Sequence, residues 1–277
     1  MKQAVYFPKN PVVKQVINCM GYVEMSPEDI IEGWLGLFPN GSSNMTISLN
    51  DDPVHYHKNK GQSLIFASWT NPVALKRTKT LKFINLQFKP IGLYCLKAIP
   101  MSELQNTSLT LDVFFSRSEN DELLDRIYTC QSLKAKFATI ERFLSAKINP
   151  ELFDDRLKLA LSLIKKTDAP SMDYLSDAVC LSSRRFRELF STHTGFSPSF
   201  YKKVVRFTRA TKQMMQHQHT SLTDVALENS YYDQAHFIKD FKSFSGITPS
   251  QFLKQKSKTS DFYNFNLPDL TKFDSRG

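Results

Sequence analysis

A segment near the C-terminal end of the chain occurs twice, and this repeat constrains the fold more than any other feature. The first copy carries Phe186, Phe190, Gly195 and Pro198, the second Phe237, Phe241, Gly246 and Pro249, and each pair stands 51 positions apart. Four coincidences at one offset mark a supersecondary unit used twice. Two copies are too few to stack into a solenoid, so a pair of binding modules is expected.

Each copy reads as two short helices joined by a turn. In the first, residues 174–180 form a helix with Leu175, Ala178 and Val179 inward. Leu181 and Ser182 make the turn, and Ser182 suits the N-cap of the second helix. That helix, over 183–193, buries Phe186, Leu189 and Phe190 at helical spacing, and Gly195 fits its C-terminal stop. In the second copy, 222–228 is a helix with Leu222, Val225 and Ala226 inward, 229–232 is the turn, and a helix starting near Asp233 buries Phe237, Ile238 and Phe241. Ser176 and Ala226 differ by 50 positions, so the second turn is one residue longer. Two short helices, the second with a polar outer face, follow helix-turn-helix arithmetic. Between the copies, Phe200, Val204, Phe207, Thr211 and Met214 form the apolar stripe of a helix over 199–216. About 18 residues span roughly 27 Å, comparable with the ~34 Å between successive major-groove faces of a duplex.

Charge agrees with that arithmetic. The chain of 277 residues carries a formal net charge of +9. Residues 183–258 hold 13 Lys and Arg against five Asp and Glu, whereas the first 150 residues hold 17 against 13. A basic module tied to two helix-turn-helix units is the electrostatic footprint of phosphate binding; a basic composition alone would be only a solvated surface.

The residues of the repeat carry a family resemblance. The second copy has Val225-Ala226-Leu227, then Tyr231-Tyr232-Asp233-Gln234-Ala235-His236-Phe237-Ile238-Lys239-Asp240-Phe241-Lys242, then Gly246-Ile247-Thr248-Pro249. Residues 182–252 resemble the DNA-binding domain of the AraC/XylS transcription regulators. Ser230 stands where that family has a turn glycine, Lys239 where it has arginine, and Glu188 where a cation is common. The resemblance implies a sequence-specific, DNA-binding transcription regulator, and activation as the commoner outcome. Its base-reading residues would be Ser183, Arg184, Arg187 and Glu188 on one helix and Tyr232, Gln234, Ala235, His236 and Lys239 on the other. Arg and Lys reach guanine, Gln pairs with adenine, and Glu accepts from cytosine. Ser182, Arg185, Lys202, Lys203, Arg206 and Lys242 are the candidate phosphate contacts. For any one of these cations a solvated helix face is the competing reading. Double-stranded DNA and RNA polymerase are the expected partners, with a small-molecule effector, a homodimer, or both.

The N-terminal half reads differently. Residues 1–113 are mostly strands: 45–49 and 82–88 alternate, and 63–69 and 73–77 are two more candidates, split by Asn71-Pro72. Turns are expected at Pro39-Asn40-Gly41 and Asn50-Asp51-Asp52-Pro53. Helices follow over 119–130 and from Leu133 to the break at Asn149-Pro150, and a further helix over 153–166 opens the second half. The fold class is therefore α+β: a β-rich sensor domain with trailing helices over 1–149, then an all-α domain of two helix-turn-helix subdomains joined by a linker helix over 150–256, and a tail over 257–277. Phe38-Pro39-Asn40-Gly41, the run from Phe83 to Tyr94, and Pro100-Met101-Ser102-Glu103-Leu104 resemble the N-terminal half of one AraC-type subgroup, in which this half binds an effector, dimerises, or both. A partner protein in place of a metabolite is the alternative.

Other chemistries find little purchase. The sequence has no G-x-S-x-G, P-loop, H-E-x-x-H or Rossmann fingerprint, so an enzyme is not expected. His55 and His57 would share one face of a strand, but no third histidine lies in that half, and a partly exposed strand pair is the plainer reading of them. No metal and no cofactor are expected. Cys19, Cys95, Cys130 and Cys180 are scattered and read as buried free thiols. No apolar leader opens the chain and no apolar run reaches about 18 residues, so a cytoplasmic protein without a membrane span is expected.

Overall fold

The computed structural model describes residues 2–26, 34–49, 63–71, 73–76, 80–166, 170–216 and 221–254. The N-terminal half comprises β1 (Lys2–Tyr6), α1 (Pro11–Val16), β2 (Ile17–Met25), β3 (Trp34–Leu37), β4 (Asn44–Ser48), β5 (Leu64–Ala67), β6 (Val73–Lys76), β7 (Leu81–Phe88) and β8 (Thr107–Thr110), then helices α2 (Arg117–Thr129) and α3 (Leu133–Lys147). β1, β2, β7, β4, β5 and β8 form one sheet in that order, and β3 pairs with β6 in a second. Every pairing is antiparallel.

Side-chain alternation gives the larger sheet two unlike faces. On one, Met20, Ile84, Leu86, Met45, Ile47 and Ile65 line up across β2, β7, β4 and β5. They share a core with Val13 and Val16 of α1, Leu123 and Ile127 of α2, and Phe137, Ile140 and Leu144 of α3. The opposite face carries Cys19, Asn85, Gln87, Asn44, Thr46 and Ser48 in matching register. The edge strand β1 is fastened from outside the sheet. The Glu141 carboxylate of α3 accepts from Tyr6 Oη (2.5 Å) and from the backbone N–H groups of Lys9 and Asn10 (2.5 and 2.6 Å). Tyr6 also stacks on Phe137, and burial together with Glu141 raises its phenol to about 12.

The C-terminal half comprises α4 (Asp155–Lys166), α5 (Met172–Ala178), α6 (Ser183–Thr194), α7 (Pro198–Gln216), α8 (Leu222–Glu228) and α9 (Gln234–Ser245). It has two apolar cores. Leu157, Ala160, Ile164, Leu175, Phe186, Phe190, Phe196 and Tyr201 form the first; Val204, Phe207, Ala210, Met214, Val225, Phe237, Phe241 and Phe252 form the second. α7 thus serves both cores, with Tyr201 and Val205 on the first and Val204, Phe207, Ala210 and Met214 on the second. The linker helix read over 199–216 is present and begins one residue earlier, with proline at the first helical position, where its missing N–H is no loss.

The helix expected to break at Asn149-Pro150 ends at Lys147, and the two halves meet at several points. Asn149 N–H donates to Cys95 O at 2.8 Å. Ile91 belongs to the first helical core. Phe38 meets Phe207 edge-on at 6.3 Å and lies 6.4 Å from Phe252. A Cβ on Gly41, whose φ is +72°, would come within 2.6 Å of the Tyr201 ring.

Two expectations need correction. The reading of 1–113 as mostly strands missed α1, whose start is set by Asn10 as N-cap and Pro11 in the first turn. The thiols are not all buried: Cys19 and Cys95 are, Cys130 is half-buried, and Cys180 is exposed. Burial raises the Cys19 thiol to about 11 and the Cys95 thiol to about 12. His55, His57, the turn at 50–53 and the tail over 257–277 lie outside the described residues. Among those described, no group of three or more His, Cys, Asp or Glu side chains is placed to hold a metal, and no helix is long and apolar enough to cross a membrane.

Gly195 and Gly246 end α6 and α9 in the same left-handed conformation, at φ +76° and +77°. Gly246 is exposed, whereas a Cβ on Gly195 would lie 2.3 Å from Ser68 Oγ and 2.9 Å from Met101 O. Gly246→Ala should therefore cost about 1 kcal/mol, the penalty of the left-handed backbone. Gly195→Ala should cost distinctly more, because the two halves must also separate locally. Thermal denaturation of both variants checks this; equal losses would mean the halves are not in contact there.

Candidate nucleic-acid interface

Each helix-turn-helix unit is built by its caps. Ser171 and Ser221 cap α5 and α8, their hydroxyls accepting from Tyr174 N–H and Asp224 N–H. Ser182 caps α6 through Arg185 N–H, and Asp233 caps α9 through His236 N–H at 2.7 Å. The first turn has four residues between helices and the second has five, which accounts for the offset changing from 50 to 51. Both turns pass through the left-handed region, at Cys180 (φ 54°) and Ser230 (φ 59°).

The candidate readers fall into two groups. On α6, Arg184, Arg185, Arg187 and Glu188 are exposed. Glu188 Oε1 accepts from Arg184 Nε at 3.1 Å, and its Oε2 lies 3.5 Å from Arg185 Nη1. The Arg184 hydrogen bond, and less so Arg185, holds this carboxyl below its ordinary range. Arg184 remains 90% exposed and movable. Ser183 turns inward, its hydroxyl 3.1 Å from Ser176 Oγ. On α9, Ala235 and Lys239 are exposed, and Tyr232, just before the helix, is 89% exposed. Gln234, half-buried, accepts at Oε1 from Thr223 Oγ1 at 2.9 Å. His236 is half-buried, with its ring edge-on to Tyr231 and its Nε2 3.7 Å from Asp240.

The candidate phosphate contacts divide more sharply. Arg185, Lys203 and Lys242 are exposed. Lys202 Nζ donates to Pro170 O at 2.6 Å. Arg206 is occupied within the fold: it donates to Asp240 Oδ2 at 2.7 Å and to Ser230 O at 3.2 Å, and its guanidinium lies 4.1 Å above the Tyr231 ring. It therefore clamps the second turn and α9 onto α7. The spacing of Lys202, Lys203 and Arg206 along one helix gave no sign of this difference, because the acceptors come from residues 24 to 34 positions away.

Lys202, Lys203, Arg206 and Arg209 nevertheless face one cleft of about 350 Å³ between α4, α7 and the second turn, with His236 at its wall. Desolvation, then the Arg206 charge, lowers the Lys202 amine. A concave surface with several cations focuses a positive field.

Residues 175–255 match the family described as "Helix-turn-helix domain". Residues 175–255 thus form a helix-turn-helix domain. Among curated proteins, the chain is 34% identical over 110 residues to an uncharacterized HTH-type transcriptional regulator of Haemophilus influenzae, covering 38% of this chain and 36% of that one. It is 28% identical over 113 residues to the HTH-type transcriptional activator RhaR of Escherichia coli, covering 40% of each. The matches thus span well under half the length of these relatives. Among solved structures, a transcriptional regulator from Chromobacterium violaceum with an AraC-type DNA-binding domain is 27% identical over 37% of this chain and 93% of that one, with a TM-score of 0.35. ToxT of Vibrio cholerae O395 is 12% identical over 90% of this chain and 97% of that one, with a TM-score of 0.45.

Within this helix-turn-helix domain, Arg206 and Lys203 should separate by assay. Arg206→Ala removes the guanidinium partner of Asp240 and should destabilise the second subdomain by about 3 kcal/mol. Lys203→Ala should leave stability nearly unchanged and reduce the salt slope of DNA binding by about one unit. Chemical denaturation beside titrations at several salt concentrations distinguishes them. Ser230→Gly should raise stability by about 0.5 kcal/mol, since glycine removes the left-handed strain at some cost in chain entropy; a lower melting temperature would contradict that.

Proposed function

We propose that the protein is a sequence-specific transcription regulator, and an activator, whose two recognition helices α6 and α9 enter adjacent major grooves of one duplex. The observation that carries this reading is that two helices of the same build, each with an exposed basic or amide-bearing N-terminal half, stand on a single helix, α7. Its 19 residues extend about 28 Å at 1.5 Å each. In this reading Arg184, Arg187 and Glu188 read bases at one half-site, and Tyr232, Gln234, Ala235, His236 and Lys239 at the other. Arg185, Lys203 and Lys242 meet phosphate, with Ser182 presenting the amides of the α6 N-terminus. The functional units are 1–149 and 150–256. RNA polymerase is the protein partner through which an activator would act, and the cytoplasm is the compartment that holds it.

The N-terminal domain is proposed to sense a small, neutral, polar molecule. What supports this is the second face of the larger sheet. Thr46 Oγ1 donates to Asn85 Oδ1 at 3.3 Å, Asn85 Nδ2 donates to Asn44 Oδ1 at 3.2 Å, and Cys19 Sγ lies 3.8 Å from Gln87 Oε1. Thr46, Ser48 and Gln87 are buried. A sheet face lined by uncharged amides and hydroxyls suits a ligand with hydroxyl or amide groups. A homodimer, and a partner protein as the regulating signal, are the other arrangements this half allows.

Binding to a panel of single-base operator variants tests the reading. Arg187→Ala and Gln234→Ala should each lose roughly 1–3 kcal/mol of discrimination at separate positions about one helical turn apart. Uniform losses at every position would refute two readers. Glu188→Ala should lower specificity at one base pair, the outcome for a carboxylate that accepts from a cytosine; uniformly tighter binding with a steeper salt dependence would mean that Glu188 only shields Arg184 and Arg185.

A further inference from the structure

The last turns of α6 and α9 are closed alike by their own residues. Gly195 N–H returns to Ser191 O and Gly246 N–H to Lys242 O. Thr194 Oγ1 donates to Phe190 O, and Ser245 Oγ to Phe241 O. What differs is the set of carbonyls left over, which a helix end always has. At α6, three of them accept hydrogen bonds from the N-terminal domain. Thr192 O takes Met101 N–H at 2.8 Å, Thr194 O takes the Ser68 hydroxyl at 2.7 Å, and Gly195 O takes the Gln105 side-chain amide at 2.8 Å. His193, between them, lays its ring 4.0 Å from that of Tyr94. Among the described residues, no such donor from the N-terminal domain reaches the matching carbonyls of Ser243, Ser245 and Gly246.

We propose that Ser68, Met101 and Gln105 are positioning residues for the first recognition helix. The N-terminal domain supplies the C-terminal cap of α6 and so sets the angle at which Arg184 and Arg187, at the other end, meet DNA. This rests on the DNA-reading function proposed above and concerns its regulation. The 12 residues of α6 make a lever of about 18 Å. A tilt of about 10° about its capped end moves the reading end by about 3 Å, comparable with the whole length of a hydrogen bond.

The cap favours binding instead of blocking it. It sits at the end of α6 remote from the readers, and Arg184, Arg187, Lys239 and Tyr232 are all exposed while the cap is in place. Ser68 is itself held in a left-handed backbone (φ 44°) at the end of β5, with its N–H on Ser43 Oγ at 3.3 Å. Ser43 directly precedes β4, which carries Asn44 and Thr46 of the polar face. A displacement of that face therefore reaches Thr194 through two side chains, whereas among the described residues the N-terminal domain meets the second core through the Phe38 ring and not through hydrogen bonds to the end of α9.

The full-length Ser68→Ala/Gln105→Ala variant tests this by two readouts. In hydrogen exchange, the amides of 193–196 should lose protection while those of 244–247 keep theirs. Against the operator panel, discrimination at the base pair read by Arg187 should fall roughly fivefold or more, as expected for one or two lost hydrogen bonds, while that read by Gln234 stays within about twofold. Tyr6→Phe, which weakens the N-terminal domain far from the cap, should reproduce neither effect. Equal loss at both half-sites, unchanged exchange at 193–196, or the same pattern from Tyr6→Phe would overturn the proposal. If the wild-type protein shows no sequence preference at all, the regulator reading fails, and exchange alone still decides whether the cap exists.

Discussion

The apolar stripe of α7 is the constraint on which the rest of the C-terminal half depends. One helix places Tyr201 in the first core and Val204, Phe207, Ala210 and Met214 in the second, so neither subdomain can settle without fixing the other's direction. Aromatic contacts carry much of this coupling. Phe200 stacks on Phe196 at 5.6 Å on one side and meets Phe244 edge-on at 5.6 Å on the other, and Phe207 lies 5.1 Å from both Phe241 and Phe244. Large rings crossing a boundary bury area that a polar linker could not, and offset or edge-on ring pairs add specific geometry to that burial. α6 and α9 are thereby held as one body.

Charge is distributed with the same economy. Of the cations that spacing alone would assign to DNA, some hold the fold and some face solvent. Arg206 occupies a partly desolvated site against Asp240 and Tyr231, where a planar guanidinium can bond and stack at once in a way lysine cannot. Glu188 pairs with two arginines on the exposed face of α6 and offsets part of their charge.

Much of this was legible in the sequence, and the limits are instructive. The 51-residue offset located both helix-turn-helix units, and helical spacing placed α8 and the stripe of α7, because local periodicity and capping decide those features. The role of Arg206 was not legible, since Asp240, Ser230 and Tyr231 come to it only through tertiary packing. The same holds for Glu141, whose donors Tyr6, Lys9 and Asn10 reach it from more than 130 positions away. Most informative are Phe38-Pro39-Asn40-Gly41, Ile91 to Tyr94, and Pro100 to Leu104. They resembled a family pattern yet fitted no strand or helix periodicity. In the structure, Phe38, Gly41, Ile91, Tyr94 and Met101 all touch the helical half. Residues selected for contact between domains leave no period behind, only composition.

The central claim is that two helix-turn-helix units on one rigid spacer read one duplex together. Selection of bound fragments from a random DNA pool by the purified full-length protein tests it most directly. The account predicts enriched sequences with two conserved blocks whose centres lie about 10–10.5 base pairs apart, on one face of the helix. A single conserved block, blocks at variable separation, or no enrichment over the starting pool would contradict it.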